Sequence, residues 1–267
     1  MKNERLSRFI LIVLIMAALL LASGCTTIGP LYNARPVYVT EVFATAGMFD
    51  LIVTAVSLAD PDIGEDTIRI LLGEVNDDPD LVIYWVPSSN PDITNLSYQS
   101  ALLNGSIVFS KYALRRSAEA MKRSARAGMA VRTVEEIGED ETYVLTEEEQ
   151  AALEMRAAEL SDDERAELKK CFIYLSCASA SLVKVPGTAT ELLKQTSLFI
   201  QQPERLMSDP LAMPAVITQL FSINDNLTSV GKQSKGLLKN LNANIVVLEA
   251  VLKANREARN AEPEEEL

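Results

Sequence analysis

Histidine is absent from this chain. Without an imidazole there is no Ser-His-Asp or Cys-His nucleophile system, no His-ligated zinc, non-haem iron or haem, and no ordinary side chain that titrates near neutrality. Enzymes that pass this filter rest on carboxylates, on a Ser-Lys pair or on a cofactor. Aromatic residues are also sparse, at 6% with a single Trp, while Ala, Leu, Glu and Lys abound, which favours helix. Basic charge is in short supply: 25 Lys and Arg face 37 Asp and Glu, for a net charge of -12. Such a surface repels phosphate backbones, so nucleic acid is not an expected partner. Cysteine occurs only at Cys25, Cys171 and Cys177.

The first of these thiols stands in an informative place. "MKNERLSR" carries Lys2, Arg5 and Arg8 against Glu4, and "FILIVLIMAALLLA", residues 9 to 22, is apolar throughout. A membrane-spanning helix needs about 20 apolar residues, and this run ends earlier, at Ser23 and Gly24. The pattern is a basic n-region followed by an h-region, as in a cleaved export signal.

"ASGC", Ala22 to Cys25, resembles the lipobox of bacterial lipoproteins, with Ala22 at the usual leucine position and Leu21 one place earlier. The resemblance covers residues 1 to about 28. It implies a diacylglyceryl group on the Cys25 thiol, cleavage before Cys25 and acylation of the new amino terminus. Each buried CH₂ of an acyl chain contributes about 0.8 kcal/mol, so two or three chains together make a stable anchor. Thr26, rather than Asp, follows the cysteine, which in double-membraned bacteria implies the outer membrane, facing the periplasm. Removing the signal takes away three cations and one acid, leaving a net charge of about -14.

The expected organisation is therefore signal peptide 1–24, lipid-anchored tether 25–36, helical domain 37–260 and acidic tail 261–267. "PVYVTEVFATAGMFDLIVTAVSLA", residues 36 to 59, holds only Glu41 and Asp50 as charges and reads as a buried central helix ending near "DPD". "DTIRILLGEV", residues 66 to 75, reads as a short helix, and "DDPDLVIYWVP" as either strand or capped helix, with Trp85 in the core. From Asn90 to Ala127 apolar residues recur at three- and four-residue steps in one long helix.

On that helix Lys111, Arg115, Lys122 and Arg126 fall within roughly 60° at 100° per residue, a cationic ridge. It would meet either lipid headgroups near the anchor or, as we favour, the acidic run just downstream. Residues 131–134 and 142–145 form either a small hairpin around "GEDE" or an acidic loop. Capping boxes at Thr146 with Glu149 and Ser161 with Glu164 start two helices, the second ending at Pro186 and Gly187. Cys171 and Cys177, six residues apart on that helix, are about 9 Å apart in rise and roughly 240° in direction, too divergent for a disulfide. We expect two free, buried thiols.

A further helix is expected to about Gln202. The last runs from Ala215 to Asn260, with a seam of Ile217, Leu220, Asn224, Leu227, Gly231, Ser234, Leu238, Leu241, Ile245, Leu248 and Leu252. "GKQSKG" has phosphate-loop glycine spacing, but Leu237 and Leu238 stand where Lys and Ser or Thr are needed.

With no internal repeat, the expected fold is all-α, an irregular multi-helix bundle. No catalytic, metal or cofactor site is expected. The function read from these features is a non-catalytic, lipid-anchored envelope protein that holds an envelope protein partner. A carrier for lipids or another apolar ligand is the alternative. A carboxylate-dependent glycan enzyme, using Asp50, Glu41 or Glu74, ranks third.

Overall fold

The computed structural model describes residues 33–44, 48–125, 146–202 and 213–261. Along the chain run β1 (Arg35–Val37), α1 (Val39–Ala44), α2 (Met48–Ala59), α3 (Glu65–Val75), a 3-10 turn (Pro79–Leu81), β2 (Ile83–Trp85) and α4 (Pro91–Ala125). These are followed by α5 (Glu147–Arg156), a second 3-10 turn (Ala157–Glu159), α6 (Asp162–Gln201) and α7 (Met213–Ala261). The fold is all-α, a multi-helix bundle with one two-stranded antiparallel sheet.

Three long helices, α4, α6 and α7, carry the core in an up-down-up arrangement. Asn226 on α7 donates to Ser100 on α4 at 2.8 Å, Arg116 on α4 meets Glu167 on α6 at 3.2 Å, and Ser179 on α6 donates to Asn242 on α7 at 2.7 Å. Ile93 and Leu96 cluster at one end with Ala189, Leu192, Leu220 and Leu227. Beyond them a larger core holds Phe109, Leu114, Met121, Leu168, Phe172, Leu175, Leu182, Leu237, Leu241 and Leu248.

α6 starts at Ser161, whose hydroxyl accepts from Glu164 N while the Glu164 carboxylate accepts from Ser161 N. It does not stop at Pro186 and Gly187. It continues to Gln201, joining what the sequence divides into two helices. A proline inside a helix costs about 3 kcal/mol. Leu182, Val185, Ala189 and Leu192 flank it at three- and four-residue steps and are all buried, and each large apolar side chain so placed contributes about 1.5–3 kcal/mol. Packing outweighs the break.

The seam of α7 also differs from the expected one. Leu220, Leu227, Ser234, Leu241 and Leu248 are buried as expected, but their partners are Ile223, Val230, Leu237, Asn244 and Val251. Ile217, Asn224, Gly231, Leu238, Ile245 and Leu252 are half-buried. α7 touches both α4 and α6, so its covered arc is wide and centred to one side of the expected stripe.

The segment 36–59 is corrected most. Arg35 and Pro36, assigned to the tether, pair in β1 with Trp85 and Tyr84 of β2. Two short helices then replace the single central one. Asn76 fixes the first, accepting from Thr40 N at 3.1 Å and donating to Thr40 Oγ1 at 2.9 Å. α2 is not central: Ile52 and Val56 are buried against the bundle, while Asp50, Leu51, Thr54, Ala55 and Leu58 are exposed. The segment is hydrophobic enough for a core, but α4, α6 and α7 already fill that place. The "DDPDLVIYWVP" stretch is both readings in succession, a 3-10 turn capped by Asp78 and then β2. Trp85 packs against Tyr98 with ring centroids 5.2 Å apart. The hairpin expected at 131–145 lies outside the described residues.

Candidate functional site

Cys25 and Arg126 lie outside the described residues. Of the remaining ridge, Lys111 and Arg115 are half-buried on α4, and Lys122 is buried. The Lys122 ammonium is 3.8 Å from Glu149 Oε1, with the two side chains only 7% and 5% exposed. Glu149 has a second task. Its other oxygen accepts from Thr146 N at 3.1 Å, so one carboxylate both caps α5 and ties it to α4. Arg116, one residue outside the ridge, also has a distant acidic partner, Glu167. It lies beside an aromatic group in which the rings of Tyr112 and Tyr174 are 5.9 Å apart. Burial pushes both tyrosine hydroxyls above their ordinary pKa.

A second charged cluster was missed by the sequence reading. Asp60, just beyond α2 and 6% exposed, accepts from Asp62 N at 3.2 Å. It also pairs with Lys169 on α6 at 3.1 Å and Arg256 on α7 at 3.3 Å. One carboxylate thus joins three elements that are far apart in sequence. Beside it opens a cleft of about 200 Å³, lined by Asp60, Phe172, Glu249, Leu252, Lys253 and Arg256 among others. Pockets for drug-sized ligands run to about 300–1,000 Å³, so this cleft suits water or a small ion better than an acyl chain. The only sequence signal was the pair of acids in "DPD", which reads as a helix stop.

The carboxylates considered for catalysis are not gathered at one place. Glu41 accepts from Tyr98 OH at 3.3 Å and from Tyr38 N, Glu74 lies 3.6 Å from Lys170, and Asp50 is exposed on α2. Among the described residues no group of three or more Cys, Asp or Glu is arranged to hold a metal ion. Cys171 and Cys177 are free and buried. Burial pushes the Cys171 thiol up to about 12 and raises Cys177 as well, so neither supplies a thiolate nucleophile near neutral pH.

In the small-residue layer of α7, Gly231 faces α6 with room for a methyl group. A Cβ placed on Gly231 would stand 4.0 Å from Ala189 Cβ on α6, an ordinary van der Waals contact. By length and composition α6 could cross a membrane, but 56% of its most apolar window is buried inside the bundle. No protein-family model matches this chain, and neither a curated protein nor a solved structure does.

Proposed function

We propose that this chain is a lipid-anchored, non-catalytic protein of the bacterial cell envelope, held at a membrane face by acyl chains on Cys25. In this reading its helical body acts as a scaffold for an envelope protein partner. The observation that carries the reading is the run from a basic start through residues 9–22 to "ASGC". The body supports it in a second way. Its buried charges are spent on joining helices to one another, as at Lys122 with Glu149 and Asp60 with Lys169 and Arg256. A carrier needs internal room for its ligand, and the cleft beside Asp60, smaller than a pocket for a drug-sized ligand, favours the scaffold reading. Thr26 supports retention at the outer membrane.

The test is fatty-acid labelling in bacterial cells. The wild-type chain should take up radiolabelled fatty acid and shift to the mature mass, and Cys25→Ser should do neither. Wild type that stays unlabelled would overturn the anchor. Crosslinking in intact cells should then trap a partner of defined mass on the wild-type chain. Absence of any envelope protein above background would remove the scaffold role.

A further inference from the structure

α2 presents an apolar stripe to the outside of the bundle. Leu51 is 61% exposed and Leu58 80% exposed, and they stand seven residues apart on one helix face with Ala55 between them. Thr54 shares the face, but its hydroxyl donates to Asp50 O at 2.8 Å, so its polar group is satisfied within the helix and its methyl is left outward. The opposite face, Ile52 and Val56, is fully covered by the body. α2 is thus a helix laid on the bundle by one apolar face with a second apolar face turned outward.

Single exposed leucines are ordinary on soluble proteins, and these two gain meaning from their place in the chain. Arg35, where the described fold begins to pair, is the tenth residue after Cys25, so the lipid lies at most about 35 Å of extended chain from β1. α2 is the second helix after that point. Its charge also selects a surface: Asp50 is its only ionisable residue, and it offers no cation to a phosphate headgroup.

We propose that α2 is a membrane-contact helix, whose stripe of Leu51, Thr54, Ala55 and Leu58 rests in the headgroup and acyl boundary of the bilayer that holds the Cys25 lipid. This rests on the anchored reading above. The acyl chains confine the body near the surface, and the stripe then sets which side of it faces the lipid. With an acidic body and no basic residue on α2, the contact is apolar. On zwitterionic lipid it should therefore be insensitive to salt, and on anionic lipid the acidic body should weaken it at low salt.

The mature lipidated chain, carrying an environment-sensitive fluorophore at Leu58→Cys, is reconstituted into phosphatidylcholine vesicles with brominated acyl chains. Leu58 is open to solvent, so the substitution spares the core. A second chain labelled at Val246→Cys, on an exposed position of α7, is the reference. The label at 58 should shift to the blue and be quenched several-fold by bromine, at low and high salt alike, and the label at 246 should do neither.

If the vesicle-bound chain leaves label 58 in water, the membrane-contact role of α2 falls and the lipid anchor stands. If the native chain does not float with vesicles at all, both fall. A shift that grows with protein density in the vesicle, accompanied by crosslinks between two copies at position 58, would assign the stripe to a second copy and overturn the proposal.

Discussion

Lys122 shows what a single residue can conceal. In the sequence it is one of four cations on a helix face, yet its ammonium lies buried 3.8 Å from a carboxylate that also caps α5. Removing one partner of a buried pair leaves the other charge without compensation. Lys122→Met should therefore cost about 3 kcal/mol, read as a lower urea midpoint with an unchanged slope. Adding Glu149→Gln, which removes the stranded charge and keeps a capping side chain, should restore most of the loss. Glycine makes a comparable contrast. A Cβ on Gly73 of α3 would meet nothing within 4 Å, whereas one on Gly105 of α4 would stand 2.9 Å from Val42 Cγ2 on α1. Gly73→Ala should raise stability by about 0.5–1 kcal/mol through helix propensity. Gly105→Ala should lower it, because overpacking costs about 1–3 kcal/mol against that same gain. Paired thermal melts check both. Pairing of the ridge with the acidic run was expected from the sequence, though not that Lys122 would be buried against Glu149, whereas the close approach at Gly105 was not visible beforehand, since it depends on a residue brought in from another helix.

At the scale of elements, the capping boxes were legible because their geometry is local. Ser161 and Glu164 lie three residues apart and satisfy each other's backbone. Burial alone would raise the Glu164 carboxyl, but hydrogen bonds from Ser161 N, Ser161 Oγ and Arg156 outweigh it and hold the group below its ordinary value. A carboxyl lowered in the folded state contributes stability above its unfolded pKa, about 4.3, and that contribution is lost as pH falls through the folded value. Ser161→Ala should cost about 1 kcal/mol near neutral pH and shrink the stability lost on acidification, measured by urea unfolding across an acid series. Pro186 is the opposite case, a strong local signal that packing overrode. Pro186→Ala should stabilise α6 by up to about 3 kcal/mol, seen as a higher melting temperature. An unchanged or lower value would mean that α7 and α4 have packed around a bend the proline creates.

For the whole molecule, the two internal thiols report on the fold and give a reference for testing the proposed anchor. In the native mature protein neither Cys171 nor Cys177 should react with iodoacetamide near neutral pH, because both are buried and their thiols are held protonated. After denaturation under reducing conditions both should react. If Cys25 is the lipid-bearing residue, intact-mass measurement should find no third alkylated thiol. The all-α class was legible from composition and periodicity. The bundle's junctions were not: Asp60 looks like a helix stop in the sequence and becomes the point where α2, α6 and α7 are fastened.

The sequence by itself determined what depends on neighbours along the chain: the helix caps, the long periodic helices and the absence of imidazole chemistry. Tertiary structure decided which apolar positions are used. α2 is displaced from the centre, α6 runs through its proline, and the seam of α7 is turned from the expected stripe toward both α4 and α6. Periodicity records which residues avoid water, whereas burial depends on how many apolar faces compete for one interior. Three long helices took that space, leaving Leu51 and Leu58 outside it.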